Sequence, residues 1–475
     1  MNKVLAVDMG ATSIRGILGF IENGELKMQE VMRLSHDIVE DNGRQRWQWD
    51  KLINAIVETI DKYSDEIVSV GIDTWGVDFG LLDKEGNLLE TPIAYRDPKH
   101  QDGYNTALEK LNKLQIFANT GTQIMTINTL FQVLAFKEFH KDNFQKADKM
   151  LMLPDLIQYM LTGEMVGEET IWSTSQIMNL KDRSISNTII DAFDINKDIF
   201  PTIVKAGHLT GNTKNAKIEK LRKTNIDVVS VCGHDTASAV LMTKANSDKD
   251  YMFLSCGTWS LIGAKVDEAD LSEKAYEEDM TNELGYDSST LLFKNITGLY
   301  LLEKYKKQLE VKLSRTIEFD EITEYVLNSY KEKPETDSIL DVADARFGAD
   351  DINAKEAITS YLTENGLSVP ENDMDYFRVI YESLVQKYYD TKQSLEKITG
   401  KTYKKLHMIG GGAKSSLLCE LISKKLGVEL IAGPFEASAL GNILIQLKAQ
   451  GEIEDMQSGI SLALKSQKTK LYQSN

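Results

Sequence analysis

The feature that most restricts how this chain folds is a pattern used twice. VLAVDMGATSIRGILGFI, residues 4–21, reads as an apolar strand, a turn of small residues and a second apolar strand. YMFLSCGTWSLIGAKV, residues 251–266, has the same syntax, with Gly10 aligned on Gly257 and Ser13 on Ser260. A second pair supports duplication. VVSVCGHDTASAV, residues 228–240, and KLHMIGGGAKSSLLCELISKKLG, residues 405–427, each run from strand through glycine turn to helix. The second pair is spaced more closely than the first, so the first half is expected to carry the longer insertion. At 475 residues the chain is long enough for two domains with separate cores. They are expected over 1–242 and 251–475, with the polar stretch TKANSDKD, 243–250, as the hinge.

Composition removes some partners. The formal net charge of −18 and the absence of a Lys/Arg block argue against nucleic acid or an anionic membrane surface. Phosphate ligands remain compatible, because backbone amides and a metal ion can hold them within an acidic protein. Cys232, Cys256 and Cys419 lack metal-ligand spacing and read as small buried residues in a reducing compartment. The run Val4–Val7 is too short for a signal-peptide core, and no stretch is apolar enough to span a bilayer, so the cytoplasm is the expected location. Monomer and dimer both remain open.

The carboxylate that draws the chain together is Asp235. Val228–Val231 reads as a buried strand, Gly233 permits a tight turn, and Thr236–Val240 starts a helix. Asp235 therefore sits at a strand-to-helix junction, where open α/β sheets bind ligands. Read alone, it is more readily an ordinary N-cap, since caps are commoner than catalytic bases. The turn Gly10–Ser13 is small enough for its amides to approach a polyphosphate, and Asp8 at its mouth can hold a water-coordinated Mg²⁺. A plain β-hairpin explains the same residues.

Between these points Lys51–Tyr63 has one apolar helical face, and Ile67–Ile72 reads as a strand continued by Asp73, Trp75, Gly76 and Asp78. That continuation suits a sugar, with an aromatic face and carboxylate acceptors for hydroxyls. AYRD, residues 94–97, follows a polar hairpin at Asp83–Asn87 and is expected to add hydroxyl contacts. Residues 102–224 are mainly helical, with loops around Gly121, Gly163 and Gly211. Asn295 precedes an apolar helix, 331–337 reads as a surface loop, Asp373–Ile398 as a long amphipathic helix, and 433–447 ends in another helix.

The motifs VDMGATSIR, GIDTWGVDFGLLD, AYRD, GHDTASAV, SCGTWSLIG, KNITGL, HMIGGGAKSSLL and AGPFEASALGN, in this order, resemble the FGGY family of carbohydrate kinases. The resemblance runs through almost the whole chain. It implies an α/β fold of the duplicated actin-like (ribonuclease H-like) ATPase type, with two lobes closing over a catalytic cleft. It also implies an ATP-dependent kinase acting on the 1-hydroxyl of L-rhamnulose. By the same resemblance Asp235 is the proton acceptor, and Gly76, His234, Thr236 and Asn295 join it around the sugar. Ala11, Thr12, Ser13, Ile14 and Arg15 form an ATP loop; Thr258, Gly411 and Glu303 complete the nucleotide site; and Mg²⁺ sits at Asp8. Glu303 departs from the family pattern, which tends to carry a glutamine there, and a carboxylate cannot donate as an amide does.

Phosphoryl transfer suits such a set. Its loose transition state asks for positioning and charge neutralisation more than for a strong base. Rival readings are a kinase of another ketose (L-fuculose, D-ribulose or L-xylulose), a non-catalytic sugar sensor, and an ATPase without a small acceptor.

Overall fold

Apolar residues from Val4 onward build the first of two related sheets in the computed structural model, which describes residues 2–333, 337–348 and 352–473. Strands β1 (Lys3–Met9), β2 (Ser13–Glu22) and β3 (Glu25–Ser35) form a meander, followed by helix α1 (Trp49–Lys62) and strand β4 (Ile67–Thr74). After the helical insertion come β5 (His208–Asn212), β6 (Asp227–Ser230) and α2 (Asp235–Leu241). The sheet order is β5-β6-β4-β1-β2-β3, with β1, β4 and β6 mutually parallel where they pair and β2 and β5 antiparallel to their neighbours. α1 lays Leu52, Ile56 and Ile60 into the core beside Leu5, Val7 and Ile72. The apolar face expected of this helix thus covers the sheet.

The later strands are β7 (Tyr251–Cys256), β8 (Trp259–Val266), β9 (Thr281–Gly285) and β10 (Ser289–Thr297). Helices α3 (Tyr300–Leu313) and α4 (Asp375–Thr399), strand β11 (Lys405–Ile409), helix α5 (Ser416–Leu426) and strand β12 (Glu429–Ala432) follow. The chain ends through α6 (Ala437–Ala449) and β13 (Lys470–Tyr472). Read from β13, the second sheet runs β13-β12-β11-β7-β8-β10-β9, and from β13 to β8 its pairing directions repeat those of the first sheet from β5 to β2.

Strand order therefore upholds the duplication and corrects its alignment. β11 occupies the place of β4, and β12 that of β6. The partner of the Asp235 segment is thus β12 with α6, rather than residues 405–427. The hairpins also differ by one residue. The last pair of β1 with β2 is Met9↔Ile14, whereas that of β7 with β8 is Cys256↔Ser260, so Ser260 matches Ile14 and not Ser13.

Two compact units divide the chain: 1–242 with 265–292 and 436–468, and 243–264 with 293–435 and 469–475. The segment 243–250 contains one break, but the partition also breaks after residues 264, 292, 435 and 468, so α6 and β9 cluster with the first unit. Other expectations shift locally. Gly211 lies within β5 rather than in a loop, where Gly121 and Gly163 do take left-handed helix-ending positions. Asp73 belongs to β4 itself. Lys331 and Glu332 end the helix Phe319–Glu332, and residues 334–336 of the expected loop lie outside the described residues.

Candidate functional site

In the first unit, three strand ends deliver the carboxylates. Register sets Asp8 of β1 beside Arg15 of β2 on one side and Asp73 of β4 on the other. Thr74 bridges to His234, and its amide donates to the Gly233 carbonyl at 2.8 Å, which brings the turn before α2 alongside. His234 is the N-cap, so Asp235 is the first helical residue and not the cap itself. A buried polar group must be paired or protonated. Here both occur.

Asp235 keeps 31% of its side-chain surface. Burial pushes its carboxyl up to about 6, opposed by the neighbouring His234 and reinforced by Asp8. The imidazole of His234 lies with Nε2 3.5 Å from Asp235 Oδ1 and Nδ1 2.8 Å from Glu283 Oε2. Burial lowers the His234 imidazole, but the charge of Glu283 outweighs it and raises the group to about 8. Thr236 Oγ1 donates to Asp235 Oδ1 at 3.3 Å. Glu168 accepts from the Gly233 amide at 2.8 Å and from Thr170 Oγ1 at 2.5 Å, fixing the turn from below.

Arg15 forms ion pairs with Asp8 and with Glu436, the residue before α6. Asp73 is fully buried, its carboxyl raised first by that burial and then by Asp8, and its Oδ2 accepts from Asn442 Nδ2 at 2.5 Å. Its Oδ1 has no partner among the described residues. In the turn, Gly10 N donates to Ser13 O at 2.9 Å, and His36 holds Gly10 O through Nε2 at 2.9 Å. Ala11, Thr12 and Ser13 reach the surface, but the side chain of Ile14 is buried in the core. Ile14 therefore has no side-chain surface with which to meet a nucleotide.

The stretch expected to line the sugar is more closed than its composition suggests. Trp75 is 7% exposed and packs against Trp47 at 4.2 Å. Asp78 is buried, with Oδ2 accepting from the indoles of Trp47 at 2.6 Å and Trp75 at 2.9 Å, and Oδ1 from Gln132 at 3.0 Å. Its oxygens are occupied, so it is no acceptor for sugar hydroxyls. Asp97 is likewise taken, by Arg44 at 2.9 Å and the Gln45 amide at 2.7 Å. Indoles and guanidinium groups are the donors that buried carboxylates require, and the sequence placed them far apart. Gly76 lies against Thr174, whose hydroxyl accepts from the Val77 amide at 3.0 Å. Val77 itself has a φ of 71°, an uncommon conformation for a β-branched residue.

The second unit contains Thr258, Asn295, Glu303 and Gly411. Thr258 O and Gly257 O accept from the amides of Gly298 at 3.0 Å and Leu299 at 2.9 Å, tying the β7–β8 turn to the start of α3. Glu303 is exposed in the first turn of α3, and Asn295 is half-buried in β10. Gly410, with φ of 83°, brings the glycine turn onto the end of β7, where a Cβ would lie 2.7 Å from Cys256 O. Gly411 remains open, with nothing within 4 Å of a Cβ placed on it.

Residues 3–242 match the N-terminal domain of the FGGY family of carbohydrate kinases, and residues 252–450 match its C-terminal domain. The chain belongs to the FGGY family of carbohydrate kinases. Among the curated relatives of this carbohydrate kinase is a rhamnulokinase from Ligilactobacillus salivarius, 35% identical over 97% of this chain and 93% of the relative. Rhamnulokinases from Bacteroides thetaiotaomicron, 34% identical over 99% and 96%, and Bacillus subtilis, 31% over 98% and 94%, are similar end to end. A xylulose kinase structure from Lactobacillus acidophilus superposes with a TM-score of 0.81 at 18% identity, covering 100% of this chain and 94% of that one. A Plasmodium falciparum glycerol kinase with ADP gives 0.79 at 16%, covering 99% and 94%. These likenesses establish the shared fold of the sugar kinase.

Sequence reasoning named Asp8, Arg15, His234, Asp235 and Thr236, which the first unit gathers. It missed Glu283, Glu168, Asn442 and Trp47 as site residues. Each lies in an otherwise ordinary strand, loop or helix, and only tertiary placement gives it a role.

Proposed function

We propose that this enzyme transfers the γ-phosphate of ATP to the 1-hydroxyl of L-rhamnulose, giving L-rhamnulose 1-phosphate and ADP. The observation that carries this reading is the end-to-end similarity to rhamnulokinases, at 35% identity over 462 residues for one of them. The chemistry of the first unit supports it. The sugar oxygen attacks the γ-phosphorus, the bond to the β–γ bridging oxygen breaks, and the hydroxyl proton passes to Asp235. A carboxylate raised to about 6 is still mostly ionised at neutral pH and is a better proton acceptor than an ordinary aspartate. His234 and Thr236 beside it are suited to sugar hydroxyls, as is the backbone at Gly76; Asn295 is assigned to the same ligand by the family resemblance.

The nucleotide is assigned to Ala11, Thr12, Ser13 and Arg15, with Ile14 offering only its backbone, and to Thr258 and Gly411, with Glu303 as a further contact in the first turn of α3. Asp8 would hold Mg²⁺ through water. The residues fit: one Asp8 oxygen is committed to Arg15, the adjacent Asp73 keeps an unpartnered oxygen, and no group of three ligating side chains occurs among the described residues. Such a sparse donor set suits an ion held chiefly by phosphate and water. When bound, Mg²⁺ neutralises charge on the β- and γ-phosphates. The cytoplasm is the proposed location, in keeping with three buried free cysteines.

ADP release with Mg²⁺-ATP across L-rhamnulose, L-fuculose, D-ribulose, L-xylulose and glycerol tests the substrate, with ³¹P NMR on the product. L-rhamnulose should give the highest kcat/KM and a 1-phosphate. A higher kcat/KM for another ketose would overturn the specificity, and sugar-independent ADP release would overturn the kinase reading.

A further inference from the structure

The imidazole of His234 has two nitrogens, and the fold uses them differently. Nε2 faces Asp235, while Nδ1 meets Glu283 at 2.8 Å. Glu283 comes from β9, far away in sequence, and is 5% exposed. Its strand is fastened on either side of it. Asn282 Nδ2 donates to Gly121 O at 2.8 Å and Asp270 O at 2.9 Å, and the Leu284 amide donates to Ser173 Oγ at 3.0 Å. The Gln123 amide donates to Thr281 Oγ1 at 3.1 Å. Glu283 therefore approaches His234 from a fixed backbone, and the turn carrying His234 is fixed in turn by Glu168 and Thr170.

We propose that Glu283 is a positioning residue for phosphoryl transfer, holding His234 as a cation with Nε2 3.5 Å from Asp235 Oδ1. The proposal rests on the kinase reading above. The Glu283 carboxylate meets Nδ1 as an ion pair, off the line of a hydrogen bond, and Nε2 is the nitrogen that faces the base. The charges around the pair make a cation necessary. Asp8 faces Asp235 from β1, Asp73 acts on it from β4, and Glu168 acts on His234 from the segment 166–168. Asp8 and Asp73 disfavour an ionised Asp235, whereas Glu168 favours the His234 cation. Arg15, the nearby guanidinium, is engaged by Asp8 and Glu436. The charge of His234 is the largest influence keeping Asp235 ionised against its burial, and the charge of Glu283 is what sustains His234. Glu283 thus acts on the base through one intermediate side chain.

Two measurements test this. An NMR titration of the His234 imidazole, made without substrate, should give a midpoint near 8 in the wild-type enzyme, falling by about one pH unit or more in Glu283→Gln and staying close to wild type in Glu283→Asp. In pH profiles of kcat, Glu283→Gln should move the acid limb upward by a similar amount and regain activity at alkaline pH, whereas Glu283→Asp should retain the limb. A wild-type midpoint below 6.5 would overturn the proposal without any variant. So would a Glu283→Gln enzyme whose kcat falls equally at every pH. The titration needs no sugar, so its midpoint tests Glu283 even if L-rhamnulose is the wrong substrate.

Discussion

Asp78 shows how much of this site is held by donors rather than offered to ligand. Its carboxyl, pushed up to about 7 by burial, accepts from two indoles and one amide. Asp78→Ala leaves the N–H groups of Trp47 and Trp75 buried and unpaired, at about 1–3 kcal/mol each. Chemical denaturation should show a loss of about 3 kcal/mol or more, and Asp78→Asn, which keeps an acceptor, less than half as much. For Asp235 the prediction concerns rate. The base works ionised, and its carboxyl is raised to about 6, so kcat should fall as pH drops through about 6. A pH profile at saturating substrates checks this; a limb near 4 would mean that the acceptor is an unperturbed carboxylate. Asp8 and Asp235 were legible because each ends an apolar run with a turn behind it. Asp78 was legible as a carboxylate beside a tryptophan but not as a saturated one, because Trp47 and Gln132 arrive through tertiary packing.

Among the elements, α6 ties most of the first unit together. Asn442 donates to Asp73, and one turn later Gln446 donates to Leu5 O at 3.0 Å and accepts from Ser69 Oγ at 2.8 Å. Gly441 lets α6 lie against α2: a Cβ there would sit 2.0 Å from the Ser238 carbonyl oxygen, a backbone atom that no rotamer change can move. Gly441→Ala should therefore cost about 3 kcal/mol in thermal or chemical unfolding and lower kcat, since α2 carries Asp235 at its first turn. Unchanged stability would mean that the two helices are free to separate. The apolar face of α6 was readable from Leu440, Ile443, Leu444 and Leu447. Its buried polar pair was not, because Asn and Gln four residues apart look the same on a solvent face. The repeat was misaligned for a related reason. Glycine turns resemble one another locally, whereas equivalence is set by strand order, which sequence periodicity does not encode.

At the scale of the whole molecule, buried titratable groups make stability depend on pH. Asp78 and Glu168 are raised to about 7 and His234 to about 8, so the folded state holds more protons than the unfolded chain as pH rises above 6.5. The contribution of the two carboxyls is lost between about pH 4 and 7, and that of His234 between about 6.5 and 8. His100 and His407, lowered to about 4 by burial, act oppositely, but only between about 4 and 6.5. The net charge of −18 adds self-repulsion as pH rises. The melting temperature of the ligand-free enzyme should therefore decline from pH 6.5 to 8.5; a rise over that interval would contradict the assigned directions. What joins all three scales is the proton acceptor delivered by β6 and α2. Its most direct test is kcat for L-rhamnulose with Mg²⁺-ATP in Asp235→Asn, alongside calorimetry of sugar binding. The expected result is a fall of about 10²–10⁴-fold in kcat with sugar binding retained, and a variant that turns over at the wild-type rate would contradict it.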